Sequence, residues 1–551
     1  FMKKNISNLD KARASFQPRL PKTLTGSIGF EEEGSSVSSQ FHDEIQKDFP
    51  NTVDNPVVRV TEGNGSLTKD AITVGVVFSG GQAPGGHNVV AGLFDALKAA
   101  NPGSKLIGFL GGPIGVIKNR SMEITSELLE DYRNTGGFDM IGSGRDKIEK
   151  PDDLAACRKN LEAMGACGLV VIGGDDSNTN AAVLAEYLVA NGSSVKVIGV
   201  PKTIDGDMKN KYIEASFGFD TAAKVFAELT GSICRDAISA KKYWHFIRLM
   251  GRAASHITLE VALQTQPNLS IISEEADIKK HTLKDIVDEI VDVVAKRAEA
   301  GKHYGVILIP EGLLEFLDDV KHMIAELSTV LGAEEEYIYG LPDHSERVQH
   351  LNNRLSAESA QVYNSLPQSI QEVLLTRDKH GNVPLSQVET EKLLIDLVGD
   401  KIRYMKSQGE FKGSFSPLGH FFGYEGRCVQ PSNFDTNYCY TLGYTAAELL
   451  RAGYTGYTVS AQNLAAPVEE WVMGGVPVTS MLTIEMRKGK PKPVIKKTLV
   501  ELDGPAFKVF AAKREGWKTQ DCFTFPGPIQ YYGPTEVCDA LTKTLEAESG
   551  I

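Results

Sequence analysis

Short, continuous apolar runs punctuate this chain, and longer stretches with apolar residues at three- and four-residue spacing separate them. AITVGVVFSGG (71–81) has the density of a buried strand and ends in two glycines, KLIGFLGG (105–112) and GLVVIGG (168–174) repeat the pattern, and VKVIGVPK (195–202) is a further strand without the glycine pair. Helical spacing appears in QAPGGHNVVAGLFDALKAA, with Asn88 as its N-cap, and again in residues 153–165 and 178–190. The strands at 168–174 and 195–202, with a helix between them, make a parallel βαβ crossover. HFIRLMGR (245–252), LSIISEE (269–275) and YGVILIPEGL (304–313) read as strands of a second sheet. Strand and helix in alternation, twice over, predict an α/β protein with two doubly wound lobes.

The pattern changes after Leu314. DDVKHMIAELSTVLG, SAQVYNSLPQSIQEVLLT and LSQVETEKLLIDLVGDKIRYMKSQG all carry helical periodicity, so residues 314–413 read as a helical insertion. Residues 1–70 are polar, without strong periodicity, and read as an N-terminal extension. The domain expectation is therefore an extension (1–70), a first α/β lobe (71–236) completed by C-terminal residues, a second lobe (237–313 and 414–480), the insertion (314–413) and a C-terminal segment (481–551). That last segment holds strand-like runs (PVTSMLTIEM, KPVIKKTLVEL) and a final helix.

A length of 551 residues suits two lobes, and the net charge of −13 leaves no basic field for bulk nucleic acid or an anionic membrane. No run reaches the roughly 18 apolar residues of a membrane span, and the first residues lack an apolar signal core. Seven cysteines are widely spaced with no CxxC pair, which argues against zinc or a disulfide framework and for a reduced, cytoplasmic setting.

Candidate chemistry gathers where the strands end. In SGGQAPGGHN, strand, paired glycines (Gly80, Gly81) and helix form an arrangement that aims backbone N–H groups at an anion; a glycine-rich turn without a ligand is the plainer reading. GGDDS repeats the arrangement with two acids. Asp175 can hold Mg²⁺ against phosphate oxygens, and Asp176 puts negative charge where donors should welcome phosphate; either acid could instead cap the helix starting near Asn178. PKTIDGD places Lys202, Thr203, Asp205 and Asp207 after a buried strand. In an extended segment the last three share one face, a set suited to phosphoryl transfer to an alcohol: the lysine neutralises phosphate, one acid takes the proton and another orients. Lys241, Lys242, Arg252, Glu311 and Arg427 are further candidates that, one by one, read as surface charges.

Taken in order, GGxAPGxN, GGDDS, PKTIDGD, MGR, PEG and GYEGR resemble the motifs of phosphofructokinases, and in particular of the long, pyrophosphate-dependent branch akin to the plant β-subunit. Asp176 and Lys202 stand where ATP-using members show GGDGS and GTIDND, and a carboxylate that repels a nucleotide phosphate beside a cation that draws a shorter donor is a two-sided selection. The resemblance implies Gly80, Gly81, Arg145, Asp176 and Lys202 around pyrophosphate, Asp175 on Mg²⁺, and Asp205 as the base for the 1-hydroxyl of fructose 6-phosphate. Thr203 and Asp207 would position the reacting groups, with Arg252 on the transferring phosphoryl and Met250, Gly251, Glu311, Tyr424 and Arg427 around the sugar phosphate. It also implies a homodimer in which Lys242 and Tyr243 serve the neighbouring site. The reaction implied is reversible transfer from pyrophosphate to fructose 6-phosphate, in glycolysis and gluconeogenesis. The alternatives are an ATP-dependent enzyme or a non-catalytic regulatory subunit of the same family.

Overall fold

The computed structural model describes residues 12–35, 41–63, 67–377, 383–487, 490–529 and 534–551. The chain divides into two compact units, the first comprising Phe1–Ala223, Tyr424–Thr498 and Ile529–Leu545, the second Lys224–Gly423, Leu499–Pro528 and Glu546–Ile551. No helix of the described residues is long and apolar enough to cross a membrane.

The first unit is built on an 11-stranded sheet. Its middle is parallel, in the order Tyr457–Gln462, Lys196–Thr203, Ala166–Gly173, Thr73–Ser79, Lys105–Phe109. Val74, Val76, Val77, Phe78, Leu169 and Ile172 are buried there, as continuous apolar runs require of strands covered on both faces. The edges are antiparallel, with Ser121–Ile124 at one end. At the other end Val472–Pro477 pairs with Pro56–Glu62, which pairs with Ile28–Ser35. The polar first seventy residues thus supply two strands that the sequence reading did not expect. Their signal was the alternation in PVVRVTE, where Val57, Val58 and Val60 are buried and Arg59 is exposed. Arg13 is fully buried and donates to Asn433 Oδ1 at 2.6 Å and to the Pro431 carbonyl at 2.7 Å, tying the extension to its unit.

Two helix starts fall three residues before their expected places. The helix after the first glycine loop runs Gly86–Ala100 behind Gly85, whose φ of +104° turns the chain into it early. Asn88 is therefore not an N-cap. Its buried amide spans the core, donating to Asn134 Oδ1 and accepting from Asn134 N. The helix after GGDDS runs Asp175–Ala190, so both acids lie in its first turn and neither is its cap, which is Gly174.

The second unit has a four-stranded, all-parallel sheet ordered Leu269–Ser270, Gly305–Pro310, Trp244–Leu249, Pro417–Phe422. LSIISEE is strand for two residues only; a helix, Ser273–Ile278, takes over with Glu274 and Glu275 in its first turn, where the helix dipole favours acids. The block after Leu314 is helical as its periodicity predicts, in Asp318–Gly340, His344–Asn352, Ala357–Ser365, Gln368–Leu375 and Thr390–Ser407. One expected helix is broken in two because Pro367 excludes the helical region for Leu366, found at ψ 145°. Leu327, Leu331, Tyr363, Leu393 and Val398 of these helices share one apolar core with Phe246, Ile290 and Ile307. Of the C-terminal strand-like runs, Leu482–Arg487 and Lys490–Ile495 pair as a two-stranded antiparallel sheet in the first unit, and the chain leaves the strand after Ile495.

Candidate active site

From the central strand Thr73–Ser79 the first unit's sheet grows to Lys105–Phe109 on one side and to Ala166–Gly173 on the other, and such a switch opens a crevice at the strand ends. Ser79, Gly173 and Pro201 stand level across three neighbouring parallel strands. The SGGQAPGG, GGDDS and PKTIDGD loops therefore leave the sheet side by side. They are also tied together: Ser177 Oγ donates to Ser79 Oγ at 2.8 Å, Gly80 N to the Gly144 carbonyl at 2.8 Å and Ser143 Oγ to the Gly80 carbonyl at 2.6 Å. This brings the GSGR segment, with exposed Arg145, to the same loop.

Lys202 is buried, 7 % exposed, and a Cβ on Gly80 would lie 3.6 Å from its ammonium. Burial brings the ammonium down to about 8, the positive charges of Arg427 and Arg145 push the same way, and Asp205 and Asp175 oppose them. The drop from an ordinary 10.5 to about 8 corresponds to about 3 kcal/mol net against the charged form, with burial its largest cause. A bound anion would relieve that cost. Arg427 lies over the glycine loop: its Nε donates to the Gln82 carbonyl at 3.2 Å, and a Cβ on Gly81 would come within 1.6 Å of its Nη2. Only glycine leaves room for the guanidinium there. Tyr424, 72 % exposed, heads the turn that carries Arg427 and faces it at 5.5 Å from ring to guanidinium.

The acids converge by a different route from the alternation expected in an extended segment. The strand ends at Thr203, residues 204–206 bend, and Gly206 adopts φ +73°. Thr203 Oγ1 accepts from Asp205 N at 3.0 Å, closing the bend. Asp207 then turns back inside, 7 % exposed, with its carbonyl accepting from Thr498 N at 2.8 Å. Lys497, a residue the sequence reading missed, stands between two carboxylates, 3.6 Å from Asp175 Oδ2 and 3.8 Å from Asp207 Oδ2. Its only sequence signal was the KK pair in a run read as strand. Asp176, more exposed, lies 3.8 Å from Lys147, a surface pairing worth little in stability.

The remaining candidates belong to the second unit. Met250, Gly251 and Arg252 follow the strand Trp244–Leu249. Met250 N donates to the Phe422 carbonyl at 2.9 Å, Glu311 N to the Leu249 carbonyl at 2.9 Å and Gly251 N to Glu311 Oε2 at 3.1 Å, so the strand end through Gly251 is tied to Phe422 and Glu311. Arg252 is exposed. Lys242 and Tyr243 precede the same strand, with the Lys242 ammonium 4.9 Å from the Tyr243 ring.

Among the described residues no three or more His, Cys, Asp or Glu side chains are grouped to hold a metal. Asp175 and Asp207 do share a single ammonium, so their carboxylates can face one cation together. One or two carboxylates completed by phosphate oxygens is the way Mg²⁺ is commonly held, and this oxygen-only set fits it.

The loops after three neighbouring parallel strands thus bring a buried lysine and two carboxylates to one sheet edge, the place where open α/β sheets bind phosphate ligands. The phosphofructokinase family model matches residues 73–450, and the chain belongs to that family. It is 50% identical over 543 residues to a pyrophosphate–fructose 6-phosphate 1-phosphotransferase of Porphyromonas gingivalis, covering 98% of this chain and 99% of that one. To the subunit beta 1 of the Arabidopsis thaliana enzyme of the same name it is 48% identical, covering 99% and 94%. The fold matches the crystal structure of a pyrophosphate-dependent phosphofructokinase from Nitrosospira multiformis with a TM-score of 0.54 at 14% identity, over 87% of this chain and 96% of that one.

Proposed function

We propose that this protein transfers a phosphoryl group from pyrophosphate to the 1-hydroxyl of fructose 6-phosphate, giving fructose 1,6-bisphosphate and phosphate. The observation that carries the reading is the pairing of a buried Lys202 beside Gly80 with Asp176 in the first turn of the helix Asp175–Ala190. That helix N-terminus would otherwise suit the phosphates of a nucleotide. A carboxylate there repels a longer donor, and the lysine draws a short one.

Asp205 takes the proton of the 1-hydroxyl as its oxygen attacks the terminal phosphorus. The bridging P–O bond breaks in line and phosphate leaves. Thr203 and Asp207 position the reacting groups. Gly80, Gly81, Arg145 and Lys202 hold pyrophosphate, and Arg427 lends charge from its place over Gly81. Met250, Gly251, Glu311 and Tyr424 hold the sugar phosphate, and Arg252 stabilises charge on the transferring group. Asp175, with Asp207 beside it, would hold Mg²⁺, which neutralises donor oxygens when bound. Pyrophosphate lacks the extra driving force of ATP, so the reaction lies near equilibrium, runs in both directions and serves glycolysis and gluconeogenesis. A homodimer in which Lys242 and Tyr243 serve the neighbouring site completes the proposal. The seven free thiols support a reducing, cytoplasmic setting.

The test is a coupled assay with pyrophosphate and ATP side by side. Turnover with pyrophosphate and none with ATP is expected; the reverse would sink the reading, and no turnover with either would favour a regulatory subunit. In a second arm, replacing Asp176 and Lys202 together by glycine is expected to admit ATP.

A further inference from the structure

The helices between Asp318 and Ser407 have no place in the chemistry above, yet one of them reaches the strand that ends in Met250, Gly251 and Arg252. Trp244–Leu249 is an inner strand, flanked by Gly305–Pro310 and Pro417–Phe422. Its next-to-last residue is a charge: Arg248, only 6 % exposed. The Nε of Arg248 lies 2.6 Å from Oε2 of Glu391, which is 3 % exposed and second in the helix Thr390–Ser407. Neither atom has a hydrogen-bond partner among the described residues, so the contact rests on the charges themselves. The guanidinium also lies 4.0 Å from the Phe421 ring centroid, and Phe421 is the register partner of Arg248 across the strand pair. The same helix packs on that neighbour: a Cβ on Gly419 would be 3.4 Å from Glu391 Cγ.

Removing two charges from water is costly, and an apolar pair of similar volume would hold helix to strand as firmly. What the ion pair adds is direction. Arg248 stands two residues before Met250, whose N–H is fixed to Phe422 one step along the same strand pair. We infer that Arg248 and Glu391 are a positioning pair through which the helical block fixes the strand end carrying Met250, Gly251 and Arg252, and so sets affinity for the sugar phosphate. The inference rests on the function proposed above. Burial pushes the Glu391 carboxyl up while the Arg248 charge opposes that rise, as a buried pair of this kind requires.

Glu391→Gln keeps the shape and strands the arginine, whereas Arg248→Met with Glu391→Leu replaces the charges by an apolar contact. Both are expected to raise KM for fructose 6-phosphate about tenfold, since small misplacements near reacting groups cost that much or more. KM for pyrophosphate should stay within about twofold of the wild type by the same argument. The double variant regains the thermal midpoint that the single variant loses but keeps the raised KM. Hydrogen exchange at residues 250–252, measured without any substrate, is faster in both. Recovery of both stability and KM in the double variant, or an equal rise for both substrates, would overturn the inference. The wild-type donor assay judges the reaction itself, and the exchange measurement stands whatever the reaction proves to be.

Discussion

Each unit carries a chemically charged strand end, and the two are held in unlike ways. After Lys196–Thr203 the chain bends at once, and Lys202, Asp205, Asp207, Asp175 and Lys497 lie among one another's charges. After Trp244–Leu249 the chain is knotted by backbone hydrogen bonds to Phe422 and Glu311, and the ion pair at Arg248 is turned away into the core. In the first case the groups that react also set the electrostatics. In the second, reacting groups and supporting groups are separate residues. A substitution in the first should therefore alter chemistry and leave the fold, and one in the second should alter both.

The largest expected effect tests the first half of that contrast. Asp205→Asn keeps the shape of the bend and removes the proton acceptor. A loss of about 10²–10⁴ in kcat is expected, the usual worth of a positioned base, with the thermal midpoint unchanged. Glu391→Gln is the counterpart: breaking a buried pair costs about 3–5 kcal/mol, so stability falls while the base is intact. Near-normal turnover in Asp205→Asn would assign the base elsewhere.

A smaller effect is expected at Gly81. The Cβ of Gly81→Ala would come 1.6 Å from Arg427 Nη2, but what it meets is the far end of a flexible side chain. The guanidinium can swing aside with little cost to folding, taking its charge away from the glycine loop. A charge-assisted hydrogen bond is worth about 1.5–3 kcal/mol, so KM for pyrophosphate should rise between about tenfold and a hundredfold. An unchanged KM would place Arg427 outside donor binding and leave it to the sugar phosphate alone.

The same contrast explains what could be read from the sequence. GGDDS and PKTIDGD are local: glycine, acid and lysine sit within a few residues of a buried run, and the α/β frame puts such loops at one edge. The bend at Gly206 was hidden because an extended continuation also brings Thr203, Asp205 and Asp207 to one side. Lys497 was hidden because its neighbours on the chain are strand-like, while its partners lie some three hundred residues away. The two N-terminal strands were missed because charges interrupt them, Glu31–Glu33 in the edge strand and Arg59 in its neighbour. Arg248 did leave a trace, a charge inside the apolar run HFIRL, but only the fold shows that Glu391 answers it.

The mildest test is a titration, and it separates the two strand ends without a large perturbation. Lys202 carries its proton below about 8 and loses it above, because burial and the nearby arginine charges outweigh Asp205 and Asp175. A neutral amine does not attract an anion. With fructose 6-phosphate saturating, kcat/KM for pyrophosphate should therefore level off below pH 8 and fall about tenfold per pH unit above it, since that ratio reports groups of the enzyme form that pyrophosphate meets. With pyrophosphate saturating, the limb should weaken, because the bound anion holds the proton on. Lys202→Arg keeps the charge at every accessible pH. Whatever its absolute rate, the limb should be missing from its profile. A limb that persists in Lys202→Arg would mean that another group governs donor affinity, and that the depressed ammonium is only a consequence of where the strand ends.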